Sequence, residues 1–582
     1  MANPPPPYSD ITGISRAIMK DNSEESLANY DGNARPGELV VDQATSIVYV
    51  GNALGDLTAV ATPGGATTWA LLSNKDGASG PTEIALGQNA GFDGQDADAV
   101  AIGKNAGQGG QFAAAISIGQ NAGGNTTQGI GAVAIGVSTG FDAQGQYGVA
   151  IGPFTALTSQ GARSVAVGLS SGQSSQGANS VAIGQYAGNE IQGVSAVAIG
   201  NNAGYTGQGI SSVAIGNRAG LTNQGNQSVA IGDNAGVTQG STAVAIGQNA
   251  GGGVALQGDD AVAIGHGAGE NAQGTQSVAI GLYTGQTTQG IQSVAVGKQA
   301  GQTTQGAYSV AVGDTAGTTT QGIQSVAVGQ RAGFSNQGQY SVAIGAYAGN
   351  SAQGERTVAV GYGAGITSQG NSAIAIGNFA GNATQGTYAI AIGSNAGDQG
   401  QGANTVAIGF GAGNAQGLQS IAIGLQAGQT AQGPNNIAIG QQAGSSNQIG
   451  SSVAIGFQAG YVDQDTQSVA IGITAGYSTQ GASAVAIGAA SGNSQGANAV
   501  AIGRQAGANG QGDAAVAIGR QAGQTSQANN SIILNATGSA LNQTTANTFT
   551  VKPVRNGGSS GLPAGFYQMA YNPTTGEIVY YT

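Results

Sequence analysis

The chain has 582 residues, a net charge of −12 with no basic run, 108 glycines, one tryptophan and no cysteine. The acidic balance disfavours a nucleic-acid partner. The missing thiols exclude disulfides and thiolate metal sites, and the scarcity of Leu, Phe and Trp argues against a conventional layered core. No run approaches the ~18 apolar residues of a membrane span, so no membrane insertion is expected. The opening MANPPPPYSDITG has neither the basic nor the apolar region of a secretory signal.

Residues 1–80 stand apart and read as an N-terminal attachment or assembly region. Pro4 to Pro7 suggest an extended leader. Residues 10–30 are expected to hold a short helix. Residues 37–61, GELVVDQATSIVYVGNALGDLTAVA, carry two β-rich runs that read as a hairpin or meander. Trp69 follows in a Gly/Thr-rich segment.

Residues 81–535 are a repeat, seen cleanly as SVAVGKQAGQTTQGAY at 293–308. Marking each copy by the glycine that closes SVAVG gives 28 copies from Gly87 to Gly519, with a mean period of 16. Self-similarity at such a period is the mark of a solenoid whose coils stack only on their neighbours. Two residues before the marker stands Ala in 27 of 28 copies, Ser117 being the exception, and it is always flanked by aliphatic residues. Period-2 alternation of large and small predicts a β-strand. The large residues, Val294, Val296, Val310 and Val312 among them, are expected to fill the inside of the coil.

A second glycine follows the marker by four residues in 27 copies, Ala156 being the exception, and a glutamine precedes the next marker by eight in every copy. The pairs Gly297 and Gly301, and Gly313 and Gly317, predict turns of positive φ. Gln305 and Gln321 are expected to satisfy turn backbone groups or to stack as an amide ladder at about 4.8 Å per coil. Intervals shorten to 15 before Gly247, Gly424 and Gly503, and lengthen to 17 before Gly136 and 18 before Gly265. Every change falls between marker and glutamine, which places an outward loop there. SIILN at 531–535 keeps the register and reads as a capping rung. Residues 536–582 read as a small β cap or tip, with a hairpin formed by GFYQMAY and EIVYY.

No constellation for catalysis or metal binding emerges, and neither an enzyme nor a cofactor is expected. His266 is the only histidine, and Asp259–Asp260 and Asp463/Asp465 do not recur from coil to coil. Runs such as GYGAG at 361–365 lack the helix a nucleotide loop needs. Loops of Gln, Asn, Thr and Ser with scattered Tyr186, Tyr205, Tyr283 and Tyr347 suit sugar binding and plain solubility alike.

The recurring SVAIG–xx–AG element resembles the head repeats of trimeric autotransporter adhesins of the YadA type, over residues 84–535. The resemblance implies a left-handed parallel β-roll and a homotrimer. It makes the alanine row, including Ala101, Ala134, Ala150, Ala295, Ala311 and Ala327, the candidate interchain face. The period is longer than that family's usual repeat. The segments PGELVVDQATSIVYVGN and SIILNATGSALN with VKPVRN look more like fibre proteins of large aquatic viruses and phages.

The expectation is therefore all-β: a parallel β-roll of 16-residue coils with about 28 rungs and a capping rung, in a homotrimeric fibre with small β-rich ends. Its expected role is that of an extracellular virion fibre, joined to baseplate or capsid through the N-terminal region and contacting a host glycan or receptor. A monomeric solenoid binding ice or polysaccharide and a bacterial surface adhesin are the alternatives.

Overall fold

A computed structural model describes residues 83–554 apart from Val254, and the backbone of six short strands outside that range. It divides into two units, residues 1–264 and 265–582. Both are all-β. Each contains a parallel β-solenoid with 16-residue coils, about 29 turns in the two units together, and no helix occurs among the described residues.

Each coil carries an aliphatic strand just before the marker glycine, such as Val294–Val296. In many coils a short second strand ends in the glutamine, such as Thr304–Gln305. The first unit stacks twelve aliphatic strands, from Ile84–Leu86 to Val262–Ile264. The second stacks sixteen, from Val278–Ile280 to Val516–Ile518, followed by Ile532–Asn535 and Phe549–Lys552. Like pairs with like: Val294 with Val310, Ala295 with Ala311, Val296 with Val312. The register survives the shortened interval, where Ala407 pairs with Ala422, and the longest one, where Ala245 pairs with Ala263. Length changes are absorbed in the loop.

Backbone hydrogen bonds run both ways from a coil inside the stack. Val294, Gly301 and Gly306 donate to the following coil at 2.8–2.9 Å, while Gly297, Gln299 and Tyr308 donate to the preceding one at 2.8–3.0 Å. The turns between them need left-handed backbone. Gly297 has φ +129° and Gly301 φ +54°. A Cβ on Gly297 would lie 2.5 Å from the carbonyl oxygen of Gly313, so successive coils approach too closely for any side chain there. Gln299 and Tyr308 also hold positive φ, at 55° and 59°. Each costs about 1–2 kcal/mol for a residue with a Cβ, and the inter-coil bonds from their own N–H groups hold them in place.

The strands face the other way from the expectation. Ala295, Ala311 and Ala327 are fully buried inside the coil, whereas Val294, Val296, Val310 and Val312 lie on its outer surface and are only half-buried. The reason is the thinness of the coil. Its interior is already filled by Ala295, by Ala300 before the second glycine, by Ser309 and by the side chain of Gln305, all buried. A valine at Ala295 would overpack this space.

Outside the roll, Ala17–Lys20 pairs in parallel with Leu39–Asp42, which pairs antiparallel with Ile47–Gly51, and that strand with Leu57–Ala59. Ala17–Lys20 is thus a strand where the short helix was expected, and the remainder of residues 10–30, Pro4 to Pro7 and Trp69 lie outside the described residues. At the other end the parallel stack continues one strand past Asn535, because Ile532–Asn535 pairs with Phe549–Lys552. Ile533 replaces the usual alanine and is fully buried, packed with Leu541 from the following loop. Gln568–Tyr571 and Ile578–Tyr581 pair antiparallel.

Candidate functional surfaces

The glutamines are sealed inside. Gln305 donates through Nε2 to the carbonyl oxygen of Val294 at 2.8 Å, and its Oε1 accepts from Gln289 Nε2 at 3.2 Å. Gln321 repeats the first bond to Val310 at 2.7 Å. Gly301 and Gly317 stand where a Cβ would sit 2.8–2.9 Å from the glutamine amide oxygen, so the second glycine makes room for the amide. Gln305 and Gln321 thus act as structural crossbars inside their coils.

Two kinds of surface remain. The first is the outer side of the aliphatic strands, which presents Val and Ile from coil after coil. In the second unit Ile344 is 41% exposed, Ile376 38% and Ile471 36%, so the row is open along its length. The second is the loop side, where aromatic residues from neighbouring coils meet. Arg331 lies over the rings of Phe334 and Tyr347, Tyr347 meets Tyr362 edge-on, and Tyr362 meets Phe379 edge-on at 5.2 Å. Tyr461 and Tyr477, at the same place in successive coils, stack 5.1 Å apart with planes 16° from parallel. In the first unit Tyr186 and Tyr205 meet edge-on at 6.2 Å. Only Tyr186, Tyr205, Tyr283 and Tyr347 were singled out in the sequence. The signal for Tyr461 and Tyr477 was their separation of one period, since residues at the same place in successive coils are stacked neighbours.

The other sequence candidates are ordinary loop groups. His266 contacts the Tyr283 ring at 4.9 Å. Asp259 accepts from the Ser241 N–H at 2.8 Å, and Asp463 from Asn447 Nδ2 at 2.9 Å. No cluster of three or more His, Cys, Asp or Glu able to hold a metal occurs among the described residues. No helix there is long and apolar enough to cross a membrane. A regular threonine array of the kind an ice surface needs is short: Thr288, Thr304 and Thr320 follow one another, but Asn336 takes the next place.

Residues 224–250, 257–284, 305–332, 337–364 and 494–522 match the model of the YadA head domain repeat. The matched coils are similar to YadA head domain repeats. Strands outside the matched stretches pair in the same register as those within, as Ile374 with Ile390 repeats Val342 with Val358. YadA head repeats build an adhesin-type β-roll, a structural rather than a catalytic fold, and the head domains of that family form homotrimers. No curated protein and no solved structure matches the chain.

Proposed function

We propose that the protein is a homotrimeric attachment fibre whose coils hold variable loops against a host surface. The observation that carries the trimer is the open Val/Ile row. Monomeric soluble proteins rarely expose a continuous apolar strip of this kind, and association of like chains covers it. The interchain face is therefore the row containing Val294, Val296, Val310 and Val312, in place of the alanines that the interior has taken. Light scattering on a sizing column tests this: the proposal expects a native mass near three times 56.0 kDa. A mass near 56.0 kDa would overturn it and return the monomeric surface-binding solenoid to first place.

The virion setting is supported by the segments flanking the repeat, which look like those of viral fibre proteins. The match to YadA head repeats favours a bacterial surface adhesin as the second reading. Immunogold labelling separates the two, with label on particle tails or capsids supporting the first and label confined to the bacterial envelope the second.

A further inference from the structure

The second unit carries a groove of about 420 Å³ on its loop side, lined by Gln458, Thr474, Tyr477, Ala490, Asn493 and Gln505, and closed beyond them by Ala508, Asn509 and Gln524. It arises from two local departures from the repeat. The interval before Gly503 is one residue short, and Ala490 occupies the place that Gln458, Thr474 and Gln505 hold in neighbouring coils. The backbone does not change with it. Ala490 keeps φ +53°, donates to Ile473 O at 2.8 Å, and the next coil docks through Gln505 N to Ala489 O at 2.8 Å. The groove is a notch of missing side chain in an intact roll.

Its lining has a definite chemistry. Tyr461 stacks on the Tyr477 ring, and Tyr477 lines the groove together with the small side chains of Ala490, Asn493 and Ala508. No charged residue contributes. Gln458 uses its Nε2 on Gln442 and leaves Oε1 as an acceptor; Gln505 uses its Oε1 on Gln521 and leaves Nε2 as a donor. Asn493 holds Ser478 through Oδ1 and leaves Nδ2. An aromatic ring lining the groove beside neutral donors and acceptors matches a sugar ring, with C–H groups on one side and hydroxyls that both donate and accept at its edge. Coils advance about 4.8 Å each, comparable with the advance per sugar in an extended chain, so amides from successive coils meet successive sugars. The volume lies in the range of small-molecule sites.

We infer that this groove binds a short stretch of a neutral polysaccharide chain, with Tyr477 as the stacking platform. The inference deepens the attachment reading and rests on it, but its test depends on neither oligomeric state nor particle. The full-length protein is titrated calorimetrically with neutral hexasaccharides of the β-1,4-glucan, β-1,3-glucan, α-1,4-glucan, β-1,4-xylan and β-1,4-mannan series. Hexagalacturonate serves as the acidic probe and a triple-helical Gly-Pro-Pro peptide as the protein probe. At least one neutral hexasaccharide is expected to bind, and Tyr477→Ala and Ala490→Gln are each expected to weaken it about tenfold or more. Ala490→Gln fills the notch with a residue that the same coil position already accepts at Gln458 and Gln505, so its loss of binding is not a folding defect. Binding by none of the neutral chains, preference for the acidic chain or the peptide, or unchanged affinity in both variants overturns the inference. The native mass read on the same samples tests the trimer separately.

Discussion

Gln305 spans its own coil to reach Val294, eleven residues earlier, and so ties the glutamine strand to the aliphatic strand through the interior. Replacing it with leucine removes that bond and the acceptor used by Gln289, a loss of about 1–3 kcal/mol at that coil. Gln305→Glu gives a pH-dependent version. Burial disfavours the carboxylate, so its pKa is raised above the unfolded value of about 4.3. The unfolded chain then releases the proton first, and stability is retained below that pH and lost as pH rises through the folded pKa. Local hydrogen exchange around Gln305 at pH 4 and pH 8 checks the sign; equal protection at both would contradict it.

Ala327 and Val326 are adjacent and should respond oppositely. Ala327→Leu puts three more carbons into a filled interior, with an expected cost of about 1–3 kcal/mol or more and loss of protease resistance. Val326→Asp places a charge on the outer face, so the single-chain fold should persist while the native mass falls toward the monomer. If Val326→Asp unfolds an already monomeric chain, the outward assignment is wrong.

Gly313 and Gly510 both have positive φ, +132° and +75°, but differ in space. A Cβ on Gly313 would lie 2.6 Å from Gly329 O, whereas one on Gly510 meets nothing within 4 Å. Gly510→Ala should cost only the conformational strain, about 1 kcal/mol, and Gly313→Ala clearly more because two coils must part. Thermal melts of the two variants give the order.

Deleting residues 314–329 removes one whole coil and brings Val310–Val312 against Val342–Ile344, a pairing of the kind already present. The shortened chain should fold, since each coil contacts only its neighbours. Deleting only residues 314–321 removes a turn and Gln321, and should not yield a protease-resistant roll.

The period, the strand and the side on which length varies were legible because stacking forces every coil to repeat the same contacts. The direction of the strand was not. Large aliphatic residues usually go inside, and nothing in the alternation of Val294, Ala295 and Val296 fixes its sense. The better signal was strictness: alanine holds its place in 27 of 28 copies, while its neighbours exchange among Val, Ile and Leu. A narrow interior tolerates one size, and an outer face tolerates several. The groove beside Tyr477 was half legible. The short interval before Gly503 could be counted, but its depth depends on which side chains Gln458, Thr474 and Gln505 raise around Ala490.

That one-residue shortening has a wider meaning. The backbone lattice is unaffected by what each coil displays, so a recognition site can be carved by subtraction. Trimming a loop by a residue and cutting one side chain back to a methyl opens a hollow, and its walls are supplied by coils that have not changed. Specificity on such a scaffold is edited coil by coil, without renegotiating the fold.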